Sequence, residues 1–440
     1  MQLTKTMQLP ASSQYKEDPM QPREIKRDFY LDELIDRKGN GFIKVVTGIR
    51  RCGKSFLVFR QFRDHLRQCG VDDGHVFEMA FDDRRNAPYR DPDAFDEYID
   101  SKLGDDGTYY ILLDEVQMLG DFEGVLNGLL RRPNVDIYVT GSNAKFLSRD
   151  VITEFSGRGD EVHLNPLSFS EFMSAYDGGK HDGWNEYVRF GGLPPVVLQK
   201  TEQGKMKTLS DLNAETYIRD ITMRHSIRHK EEFGELLNVL ASGIGSLTNP
   251  TKLADTFASK KRTKISKNTI NSYIEYLIDA FVVEKAQRYD IKGRRYIDTP
   301  LKYYFTDIGL RNAQIGFRQL EETHIMENVL YNELRSRGFA VDVGVVNTAE
   351  VNAQGKRQKK QLEVDFVCNR ASRRYYIQSA YALPDAKKTE QEQKSLLKIG
   401  DSFKKVIISK DAPGPWYTEE GVLVTNLFDF LLDRDSLEKL

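Results

Sequence analysis

GIRRCGKS, residues 48–55 of the 440-residue sequence, matches the pattern GxxxxGK[ST] in full. It stands between FIKVV at 42–46, an apolar run rich in β-branched residues, and a helical pattern that begins at residue 54. A loop of this kind between a strand and a helix is the context that a phosphate-binding P-loop requires. The pattern therefore predicts an ATP site formed by Gly48, Ile49, Arg50, Arg51, Cys52, Gly53, Lys54, Ser55 and Phe56.

Four residues of this loop have distinct chemical tasks. Gly48 and Gly53 allow the backbone to curl, so that several N–H groups point at one phosphate. The N-terminus of the following helix adds a favourable dipole. Lys54 supplies a positive charge to the β- and γ-phosphates, and the Ser55 hydroxyl is placed to ligate Mg²⁺.

An apolar run that ends in two acids, YYILLDE at 109–115, follows about 60 residues later. A strand of this kind delivers Asp114 to the edge of a sheet, where it can hold the hydration shell of Mg²⁺. Glu115 is then placed to orient or deprotonate the attacking water. The sequence therefore predicts ATP and Mg²⁺ as ligands, with Ser55 and Asp114 at the metal and Glu115 as a catalytic residue.

Two further catalytic candidates have ordinary alternatives. Asn143 or Ser142, after the apolar run at 135–140, could contact the γ-phosphate or the lytic water, or could belong to a simple polar turn. Arg158, in SGRG at 156–159, is a candidate arginine finger, in trans at a subunit contact or in cis. A surface salt bridge is the alternative for Arg158.

The bulk composition limits the class of protein. The formal net charge is -2, so any nucleic-acid surface has to be a local patch. The three cysteines, Cys52, Cys69 and Cys368, are far apart and lack metal-ligand spacing, which is typical of a reducing cytosol. No apolar run approaches the length of a membrane span. We expect a cytoplasmic protein without a membrane segment.

Strand-like runs alternate with helical patterns, which predicts an α/β fold with a parallel sheet. Helical patterns separated by Gly and Pro pairs follow, and a later helix–helix–helix–hairpin pattern is similar to a winged helix, although a three-helix packing module has a similar pattern. Strands and helices alternate again toward the C-terminus. The expected units are a disordered tail at 1–21, a P-loop ATPase domain at 22–165, a helical lid at 166–224, a winged-helix-like segment at 225–300 and an α/β domain at 301–440.

The last unit carries a series of acids that is typical of a restriction-type nuclease core. Glu327 lies in a helical pattern, Asp365 ends a strand-like run, and the next run offers Gln378 and Ala380 where an acid and a lysine are needed. Two of the four functional groups are absent, so metal affinity and water activation both suffer. The pattern favours a degenerate, non-cutting nuclease fold.

These motifs together resemble one prokaryotic family of AAA-type ATP-binding proteins with a C-terminal restriction-nuclease-like domain. The resemblance runs from about residue 23 to residue 411 and rests on the P-loop, ILLDEVQ at 111–117, GRGDE at 157–161, RFGGLPPVV at 189–197 and LEVDFV at 362–367. It implies an AAA-type P-loop sheet with a helical lid, a winged-helix segment and a nuclease-like domain. It also implies the roles given above for Lys54, Ser55, Asp114, Glu115 and Arg158. By the same resemblance, Glu327 and Asp365 occupy the positions of the nuclease acids.

The sequence leaves three functions open. The first is an ATP-driven switch or small motor in a homo-oligomer. The second is an ATP-controlled protein that binds or cuts double-stranded DNA, which the basic residues Lys260, Lys261, Arg262 and Lys264 favour. The third is a scaffold that binds ATP without hydrolysis and grips a protein partner through its C-terminal domain.

Overall fold

The computed structural model describes residues 24–141, 157–261, 265–318, 321–351 and 357–439. The expected tail at 1–21 lies outside these ranges, as do Ser142, Asn143, Arg262 and Lys264. Within these ranges, no helix combines the length and the apolar character that a membrane crossing needs.

The first unit is built on five strands: β1 (Ile43–Thr47), β2 (Val76–Ala80), β3 (Tyr109–Asp114), β4 (Val135–Thr140) and β5 (Gly159–His163). They form a parallel sheet in the order β2-β3-β4-β1-β5. Every residue of β1 and β3 is buried because both faces of the sheet are covered. This confirms the parallel α/β fold and sets the ends of β1 and β3 at the same edge.

Short helices cover this sheet: α1 (Asp28–Asp36), α2 (Lys54–Phe56), α3 (Arg63–Gln68), α4 (Pro92–Asp100) and α5 (Phe122–Leu129). A π-helical turn, Leu57–Phe62, joins α2 to α3, and 3₁₀ turns lie at Asp73–His75, Arg84–Arg90 and Val116–Met118. The start of α4 shows how the sequence sets such bounds. Asp91 accepts a hydrogen bond from Ala94 N at 3.0 Å, and Pro92 takes the first helical position, where its missing N–H costs nothing.

A helical region follows: α6 (Phe169–Ser174), α7 (Lys180–Phe190), α8 (Pro194–Val197), α9 (Glu202–Asp211), a π-helical segment Leu212–Ile218, α10 (Arg219–Arg224), α11 (Lys230–Ser242), α12 (Pro250–Lys261) and α13 (Lys267–Asp279). Ser168 and Glu171 form a capping box at the start of α6, and Ser266 caps α13.

The second sheet has eight strands: β6 (Val283–Asp290), β7 (Arg295–Phe305), β8 (Ala340–Val351), β9 (Arg357–Arg370), β10 (Arg373–Ala380), β11 (Lys404–Ser409), β12 (Trp416–Tyr417) and β13 (Leu423–Asn426). Their order is β12-β13-β11-β10-β9-β8-β6-β7, with parallel and antiparallel pairs mixed. The accompanying helices are α14 (Ile308–Gln314), α15 (Glu322–Ser336), α16 (Ala386–Leu397), α17 (Leu427–Leu432) and α18 (Ser436–Lys439).

The hairpin β6–β7 belongs to this second sheet. β6 pairs in parallel with β8, so that Arg288 lies opposite Val343. The expected boundary between residues 300 and 301 therefore falls inside β7, and the hairpin is tied to β8, whose paired residues come 55 positions after their partners on β6. A wing-like hairpin is present after α11–α13, but it continues the C-terminal sheet. The division into units otherwise stays a prediction.

One hydrophobic cluster joins the two sheets. It includes Val46 on β1, Trp184 on α7 and Phe366 on β9. The opposite face of each sheet has its own smaller cluster. The helical region is therefore packed between the P-loop sheet and the C-terminal sheet, through a core that both share.

Candidate functional site

The P-loop follows β1 directly, and its two glycines are structurally required. Gly48 has φ +135°, and a Cβ at this position would lie 2.1 Å from the Leu164 carbonyl oxygen. Gly53 has φ +107° immediately before α2. Side chains rarely adopt either conformation, so the loop closes only with glycine at both places. The roles predicted for Gly48 and Gly53 in phosphate binding stay predictions.

Lys54 lies within the curl of this loop. Its Nζ donates to Gly48 O at 3.0 Å and to Ile49 O at 3.3 Å, and its side chain is buried. Ile49 and Cys52 are fully buried and pack beneath the loop, whereas Phe56 is 40% exposed. The loop therefore presents backbone and one ammonium group, which is the donor set that polyphosphate needs.

Asp114, at the end of β3, meets Ser55 and Thr140. The hydroxyls of Thr140 and Ser55 both donate to the Asp114 carboxylate. Burial raises the pKa of Asp114, and these two hydrogen bonds oppose the increase. A hydroxyl and a carboxylate that meet beside a P-loop are oxygen ligands of the kind that Mg²⁺ prefers. The two predicted metal ligands, 59 positions apart in the sequence, are thus brought together.

Glu115 follows in a left-handed conformation, with φ +51°. Its backbone N donates to Thr140 Oγ1 at 3.3 Å, and Gln117 donates to its carboxylate. A non-glycine residue in this region costs roughly 1–3 kcal/mol, and such strain concentrates at functional sites. The left-handed conformation turns the chain out of the strand at Glu115, next to Asp114. The catalytic role of Glu115 stays a prediction.

Arg158 lies at the amino-terminal end of the parallel strands, opposite the end from which the P-loop leaves. Its carbonyl oxygen accepts a hydrogen bond from Ile43 N at 2.9 Å, at the start of β1. The P-loop leaves the far end of that strand, roughly 15 Å away at about 3.3 Å per residue. Arg158 is exposed, and this position argues against a role in cis at the chain's own site. The role in trans stays a prediction, and Asn143 lies outside the described residues.

Arg27 is a residue of this site that the sequence patterns did not indicate. It is 3% exposed, and its guanidinium donates to Cys52 O at 3.1 Å, to Asn165 O at 2.7 Å and to Glu171 Oε1 at 2.8 Å. A planar guanidinium can satisfy several acceptors in this way. Arg27 therefore ties the P-loop to the segment after β5 and to the capping box of α6. Its partners lie up to 144 positions away, so no local pattern could reveal it.

Tyr217 and Asp307 connect the site to the rest of the chain. Tyr217 OH donates to the P-loop carbonyl of Arg50 at 2.6 Å. Asp307 accepts hydrogen bonds from Gly192 N at 2.7 Å and from Leu310 N at 3.0 Å. Burial raises the pKa of the Asp307 carboxyl to about 6, against four backbone N–H donors that lower it. Asp307 thus fixes the GGLPP segment, whose Pro194 lies next to Gly53.

Glu327 and Asp365, which the sequence pattern assigns to a nuclease-like series, lie near the ammonium group of Lys302. Lys302 Nζ lies 2.9 Å from Glu327 Oε1 and 2.7 Å from Glu363 Oε1. Burial alone would lower the pKa of Lys302, yet Glu327, Glu363 and Asp365 raise it above its ordinary value. Asp365 Oδ2 accepts a hydrogen bond from Ser379 N at 2.8 Å. The pKa of Asp365 is raised well above its ordinary range, by burial first and then by Glu327.

Gln378 does not join this cluster by any contact that the structure describes. Ser395 Oγ, on α16, lies 3.4 Å from its Oε1. The neighbouring side chains Tyr376 and Ala380 pack with α16 in the cluster on the outer face of the sheet. The structure therefore groups Glu327 and Asp365 with Lys302 and Glu363. Among the described residues, no group of three or more His, Cys, Asp or Glu side chains is arranged to hold a metal ion.

Two family models match the chain. Residues 40–173 match an AAA domain, and residues 181–321 match a domain of unknown function, DUF8612. An uncharacterized protein of Haemophilus influenzae is 33% identical over 417 residues, which cover 93% of this chain and 98% of that protein. An uncharacterized protein of Methanocaldococcus jannaschii is 27% identical over 383 residues, which cover 83% and 80% of the two chains.

The similarity of this chain to solved structures is lower. The Aeropyrum pernix ORC2 protein has a TM-score of 0.37 and 14% identity, and the match covers 69% of this chain and 92% of that one. The Pyrobaculum aerophilum Cdc6p has a TM-score of 0.30 and 12% identity, with 71% and 97% covered. TM-scores below 0.5 do not establish a common fold, so the fold assignment rests on the sheet and the P-loop.

The AAA domain match spans all five strands of the parallel sheet, the P-loop and both acids at the end of β3. Geometry and family model therefore identify the same unit. The chain belongs to one protein family with the Haemophilus influenzae protein, and its first unit is an AAA domain with the P-loop NTPase fold.

Proposed function

We propose that this protein is a Mg²⁺-dependent ATPase that acts as a nucleotide-driven switch on DNA or a protein partner. A series of hydrogen bonds that leads away from the P-loop carries the proposal. Tyr217 OH donates to Arg50 O at 2.6 Å, and Asn213, one turn earlier, donates to Gln314 Oε1 at 2.7 Å. Gln314 Nε2 donates in turn to Asn238 Oδ1 at 2.6 Å. A shift of the P-loop therefore has a route to α14 and α11.

In this proposal Lys54 and the loop N–H groups bind the phosphates of ATP. Ser55 and Asp114 would hold Mg²⁺, which when bound would neutralise charge on the phosphates. Glu115 orients the attacking water. Asn143 contacts the γ-phosphate or that water, and Arg158 acts from a neighbouring subunit of a homo-oligomer in the cytoplasm.

ATP hydrolysis by wild type and by Glu115→Gln, with and without double-stranded DNA, tests the proposal. We expect the variant to bind ATP and to hydrolyse it at least about 100-fold more slowly than wild type. A general base typically accelerates a reaction by a factor of this order. Glu97→Gln is the matched control, since it removes the same charge from an exposed position on α4. Turnover that survives Glu115→Gln would contradict the assigned role, and tightly bound, unhydrolysed ATP in the wild type would favour the scaffold function.

Double-stranded DNA as the partner is the second candidate function. It is favoured by the hairpin β6–β7, which follows three helices in the order of a winged helix. Stimulation of ATP hydrolysis by DNA would support it. Indifference to DNA would favour a protein partner bound through the C-terminal unit.

We further propose that the C-terminal unit does not cut DNA, because Lys302 neutralises the acids that a metal ion would need. A Mg²⁺-dependent nuclease assay tests this directly. We expect no cutting by the wild type. Cutting that disappears in Asp365→Ala would contradict the proposal.

A further inference from the structure

A cavity of about 720 Å³ lies on the C-terminal unit, away from the carboxylate cluster. Three segments meet there: the turn between β6 and β7, the turn between β9 and β10, and the segment between α16 and β11. Each of the two turns holds a non-glycine residue in a left-handed conformation, Arg294 at φ +52° and Ala371 at φ +51°. Strained backbone conformations of this kind cluster at active sites and ligand-binding sites.

Three aromatic rings and one guanidinium form a row that runs from Tyr296, beside this cavity, through the cavity-lining residues Tyr289 and Arg374 to Phe403. Tyr296 and Tyr289 lie 5.4 Å apart between ring centroids. Arg374 follows, with its guanidinium carbon 5.8 Å from the Tyr289 ring centroid and 5.4 Å from that of Phe403. Tyr296 is 57% exposed and Phe403 is 41% exposed, so both ends of the row are open to solvent. We call these four residues the aromatic–arginine row.

Positive charge is concentrated around the row. The cavity is lined by four cationic side chains, Lys292, Arg294, Arg373 and Arg374, and by one acid, Asp401. Asp401 already has a hydrogen-bond partner within the protein, because its Oδ2 accepts from Tyr376 OH at 2.6 Å. Arg373 also pairs with Glu438.

The charge of this surface is unlike that of the whole chain. The formal net charge of the 440 residues is -2, so the excess is local to this surface. Lys292 and Arg294 are exposed, and neither has an acid within ion-pair distance in the part of the chain that the structure describes. Lys292 and Arg294 lie beside the row, where their charges are accessible to a polyanion.

We propose that this surface binds single-stranded nucleic acid. Exposed aromatic faces stack on unpaired bases of any sequence, and cations beside them contact the phosphates. A guanidinium between two rings extends the stacking surface by cation–π contact. Paired bases in a duplex are already stacked, so a duplex can use the cations but not the rings. The surface lies outside the ATP site, and the proposal does not depend on ATP hydrolysis.

Fluorescence anisotropy with a labelled oligo-dT of about twelve nucleotides, within the size range of such sites, tests the proposal. The full-length Lys54→Ala protein is used without nucleotide, so that failure of the ATPase proposal cannot affect the result. We expect Tyr296→Ala with Phe403→Ala to weaken binding about tenfold or more. We expect Lys292→Glu with Arg294→Glu to lower the slope of log affinity against log salt by about 0.7 for each phosphate that the variant no longer neutralises.

Phe42→Ala and Lys38→Glu are the matched controls, since both side chains are exposed on the first unit. Their affinity for oligo-dT should equal that of the parent protein. Equal affinity for a duplex of the same length would overturn the proposal. So would unchanged binding in the ring variants, an equal loss in the controls, or binding of a mononucleotide without binding of the oligonucleotide.

Discussion

The buried ammonium group of Lys302 supplies the positive charge that the buried carboxylate of Glu327 requires, and it also pairs with the partly exposed Glu363. The Lys302 side chain is 4% exposed, and Tyr304 OH donates to the same Glu327 oxygen at 2.6 Å. Buried carboxylates are tolerated only when they are paired or coordinate a metal. Here the chain itself provides a cation beside these acids.

Replacing Lys302 by methionine should therefore destabilise the protein strongly. Breaking a buried ion pair on one side leaves uncompensated charge and costs about 3–5 kcal/mol. Urea denaturation measures the loss. Lys285→Met is the control, because Lys285 pairs with Glu275 at 2.8 Å on the surface, where a pair contributes about 1 kcal/mol or less. Added Mg²⁺ should restore part of the stability in Lys302→Met and none in the control. Equal losses in the two variants would contradict this account.

Asp307 should make stability depend on pH in a definite direction. Burial raises the pKa of its carboxyl to about 6 from an ordinary value of 3.8. The folded state thus holds the proton more tightly than the unfolded chain, and the stabilisation is complete below about pH 4 and lost as the pH rises through about 6. A shift of this size corresponds to roughly 3 kcal/mol.

Urea midpoints of wild type and Asp307→Asn between pH 4.5 and 7.5 measure this contribution. The difference in unfolding free energy between wild type and variant should decrease as the pH rises. The variant supplies the baseline, since its side chain does not titrate and every other group is shared. A difference that grows with pH would show that the backbone N–H groups of Gly192 and Leu310 dominate over burial.

The strand–loop–helix element from β1 to α2 tolerates no side chain at Gly48. A Cβ there would lie 2.1 Å from the Leu164 carbonyl oxygen, so the loop has to move. A misplacement of about 1 Å can lower a reaction rate about 100-fold, and we expect Gly48→Ala to lose ATP affinity by a factor of about that order. Gly128→Ala is the control, because a Cβ at that position on α5 meets nothing within 4 Å. The control should keep its ATP affinity, and isothermal titration measures both variants.

Elements with local signals could be predicted from the sequence, and elements held by distant partners could not. The P-loop and the strand that ends at Asp114 are continuous patterns, and the structure brings Ser55 and Asp114 together. Arg27 and Lys302 act through partners 25 or more positions away, so no periodicity marks them. The hairpin β6–β7 was predicted as a wing, but its pairing with β8 depends on strands that come later.

The molecule as a whole is organised around contacts that cross its units. One buried cluster runs from Tyr30 on α1 through Trp184 to Phe428 on α17. Polar contacts run alongside it, since Asn312 Nδ2 donates to Val188 O and Arg189 O, both at 2.9 Å. Such packing transmits small shifts between discrete arrangements more readily than a flexible linker does. Binding of ATP at one end is therefore expected to reach the helical region.

Hydrogen exchange with ATP and Mg²⁺ bound tests this coupling in Glu115→Gln, which should retain nucleotide. We expect slower exchange at residues 48–57, at the π-helical segment Leu212–Ile218 and in α14, because Tyr217 and Asn213 join the loop to these helices. Adding Tyr217→Phe removes only the hydroxyl that contacts Arg50 O. It should leave protection at the P-loop and abolish it in α14. Protection that never extends beyond the P-loop, or that persists in α14 without the Tyr217 hydroxyl, would show that nucleotide binding is not transmitted along this route.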